Sequence, residues 1–189
     1  MAGVLLFHHV QGLTPGVREF AEQLRAAGHT VHTPDLFDGR VFDKFEDGVA
    51  HAEEIGFGTI LDRGRAAADN LPPDLFYAGF SLGVLPAQML AQTRPGAKGA
   101  LLCGACIPVS EFGSGWPADV PVQVHAMEDD AVFVGDGDLE AARALVTATP
   151  AAELFLYPGD QHLFADPGLP GYTPAAADLL LTRTRTFLS

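Results

Sequence analysis

Charge is scarce in this 189-residue sequence, and what there is leans one way. Charged side chains make up 19%, with 11 Lys and Arg against 24 Asp and Glu, for a formal net charge of −13. So few basic residues argue against nucleic acid or an anionic membrane as the main partner, because neither polyanion would be neutralised. Cysteine is nearly absent, and Cys103 and Cys106 cannot build a secreted-type disulfide framework. No apolar run approaches the roughly 18 residues that a membrane span needs. The segment Met1–His9 has no basic n-region and no long apolar stretch ending in small residues. The expectation is a soluble, cytoplasmic protein.

What is present is apolar and rich in turn formers. Hydrophobic residues are 48% of the chain, enough for a core without metal or disulfide, while 21 glycines and 14 prolines argue against a helical bundle. Short apolar runs at Gly3–His8, His29–Thr33, Leu75–Ala78, Gly99–Cys103, Val120–His125 and Glu153–Leu156 read as strands. Helical patterns fall between them. Thr14-Pro15 starts one, with Val17, Phe20, Ala21 and Leu24 on one face and Gly28 beyond its end. Others lie around Glu46–Ile55, Ile60–Ala68, Val84–Gln92, Leu139–Ala148 and Ala175–Leu188. No repeat or linker interrupts the pattern, so residues 1–189 read as a single domain. Strand–helix alternation predicts a doubly wound α/β fold with a mostly parallel sheet covered on both faces.

The chemistry is concentrated at Gly79-Phe80-Ser81-Leu82-Gly83, a G-x-S-x-G between a predicted strand and a predicted helix. A turn that tight lifts Ser81 above the sheet edge, next to a helix N-terminus that favours negative charge. The plain alternative is that Ser81 merely caps the helix; the flanking strand and helix favour the nucleophile. A serine hydroxyl needs a base, and the base needs an orienting acid. His162 lies after the last strand, where doubly wound sheets gather loops at the carboxyl ends of their strands. His125, at the end of the fifth strand, is the lesser rival. For the acid, Glu128, Asp129 and Asp130 are adjacent after the fifth strand, and physics alone leaves the choice among them open. Cys103-Gly104-Ala105-Cys106 follows the fourth strand, the wrong place for a redox motif, and reads as small buried packing.

The order serine, acid, histidine is that of α/β-hydrolases, and the chain resembles the dienelactone hydrolase family within that superfamily. The likeness rests on Leu5–Leu13 with Pro34-Asp35-Leu36, on Gly79–Gly83, on Val122–Phe133 and on Tyr157–Phe164. It implies a minimal α/β-hydrolase fold of about six strands flanked by helices, in the order 2-1-3-4-5-6. The family pattern selects Asp130 as the acid, with Asp129 the runner-up. The resemblance also implies that the backbone N–H groups of Val10 and Leu82 form the oxyanion hole, and it calls for no cofactor and no metal. The implied function is serine-dependent hydrolysis of a small ester or lactone through an acyl-enzyme. The competing reading is a non-catalytic small-molecule binder on the same fold.

Three departures from the family pattern bear on substrate. Ser81 stands where the founding enzymes have cysteine, and His9 stands where they have glutamate. Leu163-Phe164-Ala165-Asp166 lacks the arginine that would hold a substrate carboxylate. Asp166 is expected to repel an anionic lactone, which points to neutral substrates. Phe37, Phe42, Phe112, Trp116 and Phe133 are candidates to line a shallow pocket, each read first as a packing residue.

Overall fold

In the computed structural model, which describes residues 1–189, the short apolar runs become six strands. They are β1 (Gly3–Phe7), β2 (Thr30–His32), β3 (Leu75–Phe80), β4 (Gly99–Cys103), β5 (Val122–Met127) and β6 (Ala152–Tyr157). All neighbours pair in parallel, in the order β2-β1-β3-β4-β5-β6. The helices are α1 (Pro15–Ala26), α2 (Phe45–Ile55), α3 (Phe57–Ala68), α4 (Val84–Thr93), α5 (Ala131–Gly135), α6 (Asp138–Ala148) and α7 (Pro174–Phe187). The expected doubly wound α/β architecture and strand order are both present. None of the helices is long and apolar enough to cross a membrane.

Side-chain alternation divides the core into two layers, as parallel strands buried on both faces require. Leu5, Phe7, Tyr77, Leu102, Val122 and Val124 face one way, against Ile60, Ala87 and Leu145 of the helices on that side. Val4, Leu6, Ala78, Leu101 and Met127 face the other, against Val17, Phe20 and Leu24 of α1 and Leu180 of α7. The Thr14 hydroxyl caps α1 by accepting from the Val17 N–H at 3.2 Å, and Pro15 occupies the first turn. Gly56, at φ +83, breaks the chain between α2 and α3.

Several elements extend past their sequence-based limits. Strand β3 continues through Gly79 and Phe80 up to the serine, and α3 starts three residues early, at Phe57. The five-residue helix α5 has no counterpart among the expected elements. Strand β5 is shifted toward the C-terminus, which puts His125 inside it rather than at its end. There the ring is fully buried and stacked on Phe155, with centroids 5.0 Å apart. The Gln123 amide donates to Glu153 at 2.9 Å, which leaves its carbonyl to accept from His125 Nε2–H at 3.2 Å. His125 Nδ1 then accepts from the Tyr157 hydroxyl at 2.9 Å. With both nitrogens engaged, His125 is a packing residue and not a rival base.

Burial pushes the His125 imidazole down to about 3 and that of His8, at the end of β1, down to about 4. Both are neutral in the native state, while the unfolded chain takes up protons at the ordinary value of 6.5. The stability they carry is therefore intact above pH 6.5 and is lost as pH falls toward those depressed values. At pH 4 the loss for each ring is on the order of 3 kcal/mol. Urea unfolding followed between pH 7 and pH 4 is expected to show a steep fall in stability over that window, and His125→Asn is expected to flatten it.

Candidate active site

Strand β3 delivers Ser81 into a single tight turn, and α4 leaves directly behind it. Ser81 has φ +49, a left-handed conformation that a non-glycine residue adopts only where its surroundings compel it. Those surroundings are two glycines. A Cβ on Gly79 would collide with the Gly83 carbonyl, and a Cβ on Gly83 would collide with the Phe7 carbonyl at the end of β1. The G-x-S-x-G spacing is thus a requirement for close backbone approach on both sides of the serine.

Three of the expected residues meet here. Ser81 Oγ lies 2.7 Å from His162 Nε2, and His162 Nδ1 lies 2.6 Å from Asp130 Oδ2. Asp130 is 1% exposed, and its second oxygen accepts from the N–H groups of Val132 at 3.0 Å and Phe133 at 3.3 Å. It is the N-cap of α5, so one carboxylate both starts a helix and faces the imidazole. Glu128 and Asp129 are exposed, and their backbone N–H groups are bound to the carbonyls of Tyr157 and Gly159. With the Asp130 carboxylate on Nδ1, the imidazole carries its proton there and presents a bare Nε2 to the serine hydroxyl.

Val10 and Leu82 are both buried on the side of the sheet that faces α2 and α4. The turn after β1 is closed by the Gly12 N–H donating to the His9 carbonyl at 3.0 Å, and the Val10 N–H has no acceptor within the protein. Helix α2 lies over this turn, with Gly48 so close to the Val10 carbonyl that no Cβ fits between them. From the start of the same helix, Phe45 meets the His162 ring edge to face, with centroids 5.6 Å apart. Phe45 escaped the sequence reading, which placed the helix one residue later. Of the proposed pocket aromatics, Phe37 and Phe133 are fully buried, while Phe42, Phe112 and Trp116 are half-buried against the core.

Asp166 departs from expectation. It is buried, and one oxygen takes hydrogen bonds from His9 Nε2 at 2.9 Å and from the Thr14 hydroxyl at 2.6 Å, while the other accepts from the Gly168 N–H at 2.8 Å. Burial alone would push its carboxyl up, but the bonds from His9, Thr14 and Gly168 outweigh it and hold the group below its ordinary value. Both oxygens of the carboxylate are thus engaged, and their bonds tie the His162 loop to the loop after β1. A small cavity bounded by His9, Phe80, Cys103, His162, Asp166 and Leu180 does not include Ser81. Cys103 and Cys106 are unpaired and buried, which pushes the Cys103 thiol far up and that of Cys106 up to about 12. Asp138, at the start of α6, accepts from the Cys106 N–H at 2.7 Å, and its carboxyl is raised mainly by burial.

The model of the dienelactone hydrolase family matches residues 1–189. Among curated proteins, the "Putative carboxymethylenebutenolidase" of Azospirillum brasilense is 25% identical over 98% of this chain and 85% of its own. Among solved structures, the dienelactone hydrolase of Anabaena variabilis superposes with a TM-score of 0.69 at 21% identity, covering 98% of this chain and 85% of that one. A dienelactone hydrolase-like promiscuous phosphotriesterase from metagenomic libraries gives a TM-score of 0.78 at 20% identity, over 100% and 85% of the two chains. These two structural likenesses are likenesses of fold.

Removing the Asp166 carboxylate would strand His9 Nε2–H and the Thr14 hydroxyl in the interior. Asp166→Ala is therefore expected to cost about 2–4 kcal/mol of stability in chemical denaturation. The exposed Asp160→Ala serves as the comparison and is expected to stay within about 0.5 kcal/mol of native.

Proposed function

The chain belongs to the dienelactone hydrolase family, and from that premise we propose that it is a serine hydrolase of small, neutral esters or lactones. The observation that carries the proposal is the hydrogen-bonded line from Ser81 through His162 to Asp130, at 2.7 and 2.6 Å, with the serine held in a left-handed turn. In the proposed reaction Ser81 Oγ attacks the acyl carbon while His162 Nε2 takes the hydroxyl proton. The N–H groups of Val10 and Leu82 receive the negative charge that develops on the carbonyl oxygen. Collapse breaks the bond to the leaving alkoxide, to which His162 returns the proton; in a lactone the new alcohol stays tethered to the acyl group. Water then attacks the acyl-serine with His162 again as base, releasing the carboxylic acid and restoring Ser81. Asp130 keeps the proton on Nδ1 and stabilises the imidazolium that forms in each half-reaction.

The preference for neutral substrates now rests on the net charge of −13 alone, since Asp166 is engaged elsewhere. That repulsion acts at long range and fades as salt screens it beyond about 10 Å at 0.1 M. A neutral ester is expected to exceed its carboxylate analogue in kcat/KM at low salt, with the gap narrowing at high salt.

A fluorophosphonate probe tests the core of the proposal. Stoichiometric labelling that disappears in Ser81→Ala is the expected result, and well-folded native protein that takes no label would instead indicate a binding protein. Asp130→Asn is expected to lower kcat on the order of 10³- to 10⁴-fold by favouring the wrong imidazole tautomer. Asp129→Asn and Glu128→Gln are expected to change it less than about threefold, given their exposed side chains.

A further inference from the structure

We propose that His8 is a positioning residue that holds the His9–Val10 peptide with its carbonyl turned inward and the Val10 N–H directed to the oxyanion site. This rests on the serine-hydrolase reading above and assigns a role to a buried histidine that the triad does not use. His8 Nδ1 lies 2.7 Å from the His9 carbonyl oxygen, and its Nε2 lies 2.9 Å from the Leu36 backbone nitrogen. A backbone N–H can only donate, so Nε2 must be bare and the ring proton must sit on Nδ1, where it is donated to the His9 carbonyl. The tautomer is thus set by the chain beyond β2.

The consequence lies across the same peptide unit. No peptide bond in the chain is cis, so the His9 carbonyl and the Val10 N–H point in opposite directions. The carbonyl is held twice, by His8 Nδ1–H at 2.7 Å and by the Gly12 N–H at 3.0 Å. The N–H on the other side has no protein acceptor. A buried donor without a partner is unfavourable unless something is to be received there. Its neighbourhood is the serine turn, because a Cβ on Gly83 would collide with the carbonyls of both Phe7 and His8, and β1 pairs with β3 at Phe7 and Gly79. The His8 ring is itself fixed, fully buried and edge to face with Phe37 at 5.0 Å. Rotation of the peptide would therefore have to break two hydrogen bonds at once.

The two functions of the ring can be separated. The amide of asparagine sits where Nδ1 does and can donate to the His9 carbonyl, whereas that of glutamine sits where Nε2 does and can accept from Leu36. His8→Gln is expected to lower kcat by about 10²-fold, the scale of losing one oxyanion donor, with KM within about threefold. His8→Asn is expected to recover kcat to within about tenfold of native, although it gives up the Leu36 bond and some thermal stability. Equal loss in both variants, or native kcat in folded His8→Gln, would overturn the proposal.

A second measurement needs neither variant nor turnover. The ¹⁵N shifts of the His8 ring in native protein are expected to show a protonated Nδ1 and a bare Nε2; the opposite tautomer also overturns it. If native protein shows no Ser81-dependent turnover, the hydrolase reading fails by itself. The ring tautomer and the His9 carbonyl ¹³C shift, expected to move in His8→Gln and stay in His8→Asn, then decide whether His8 holds the peptide.

Discussion

The fit of the serine turn between β1 and β3 constrains everything built around it. Gly79 and Gly83 are in contact with backbone that leaves no space for a side chain, one across the turn and the other against the end of β1. That double contact puts the exit of β1 beside Ser81, so the loop after β1 and the serine turn are located by a single packing event. It also directs the chain into α4, whose Val84, Ala87 and Leu90 join the core beneath the sheet. A side chain at either glycine would separate the two strands at the level of the site, and no loop rearrangement could restore both distances.

The loops that rise from this platform are secured by buried polar bonds and not by apolar packing alone. His9, Thr14 and Asp166 join the loop after β1 to the loop that carries His162. His8 joins the same first loop to the chain after β2, through Leu36. Asp130 joins the loop after β5 to the His162 loop while starting α5. The loops after four of the six strands are thereby cross-linked within one polar shell. Such bonds are directional and stronger in a low-dielectric interior, so they specify one arrangement where apolar contacts would tolerate several.

Much of this was legible in the residues, and the parts that were not have physical reasons. Strand–helix alternation pointed to the parallel sheet, because strands buried on both faces are short apolar runs that resemble little else, while the strand order came from the resemblance to α/β-hydrolases. The pattern around Ser81 was legible for the same reason, since strand, glycine, serine and helix sit in immediate succession. Asp130 was harder to separate from Asp129, although a signal was present. An acidic residue directly before Ala131-Val132-Phe133 is a helix N-cap, and α5 is too short to show periodicity of its own. Asp166 was misread because nothing local distinguishes a carboxylate facing a ligand from one bonded to His9, more than 150 residues earlier in the chain. His125 was misplaced by two residues because Val120 and Pro121 extend the apolar run before β5 begins at Val122.

The left-handed backbone at Ser81 gives the molecule a built-in direction of drift. A side chain at φ +49 costs on the order of 1 kcal/mol over glycine, which adopts that conformation freely. Substitution by glycine would thus relax the fold at the same stroke that removes the hydroxyl proposed as the nucleophile. Stability and chemistry pull against each other at this one position more directly than anywhere else in the chain. A lineage released from the need for turnover would gain by losing this serine first, well before the surrounding histidines and carboxylates, whose bonds also hold the loops together. On the proposed mechanism, serine in a turn of this shape is retained for its reactivity and at the expense of stability.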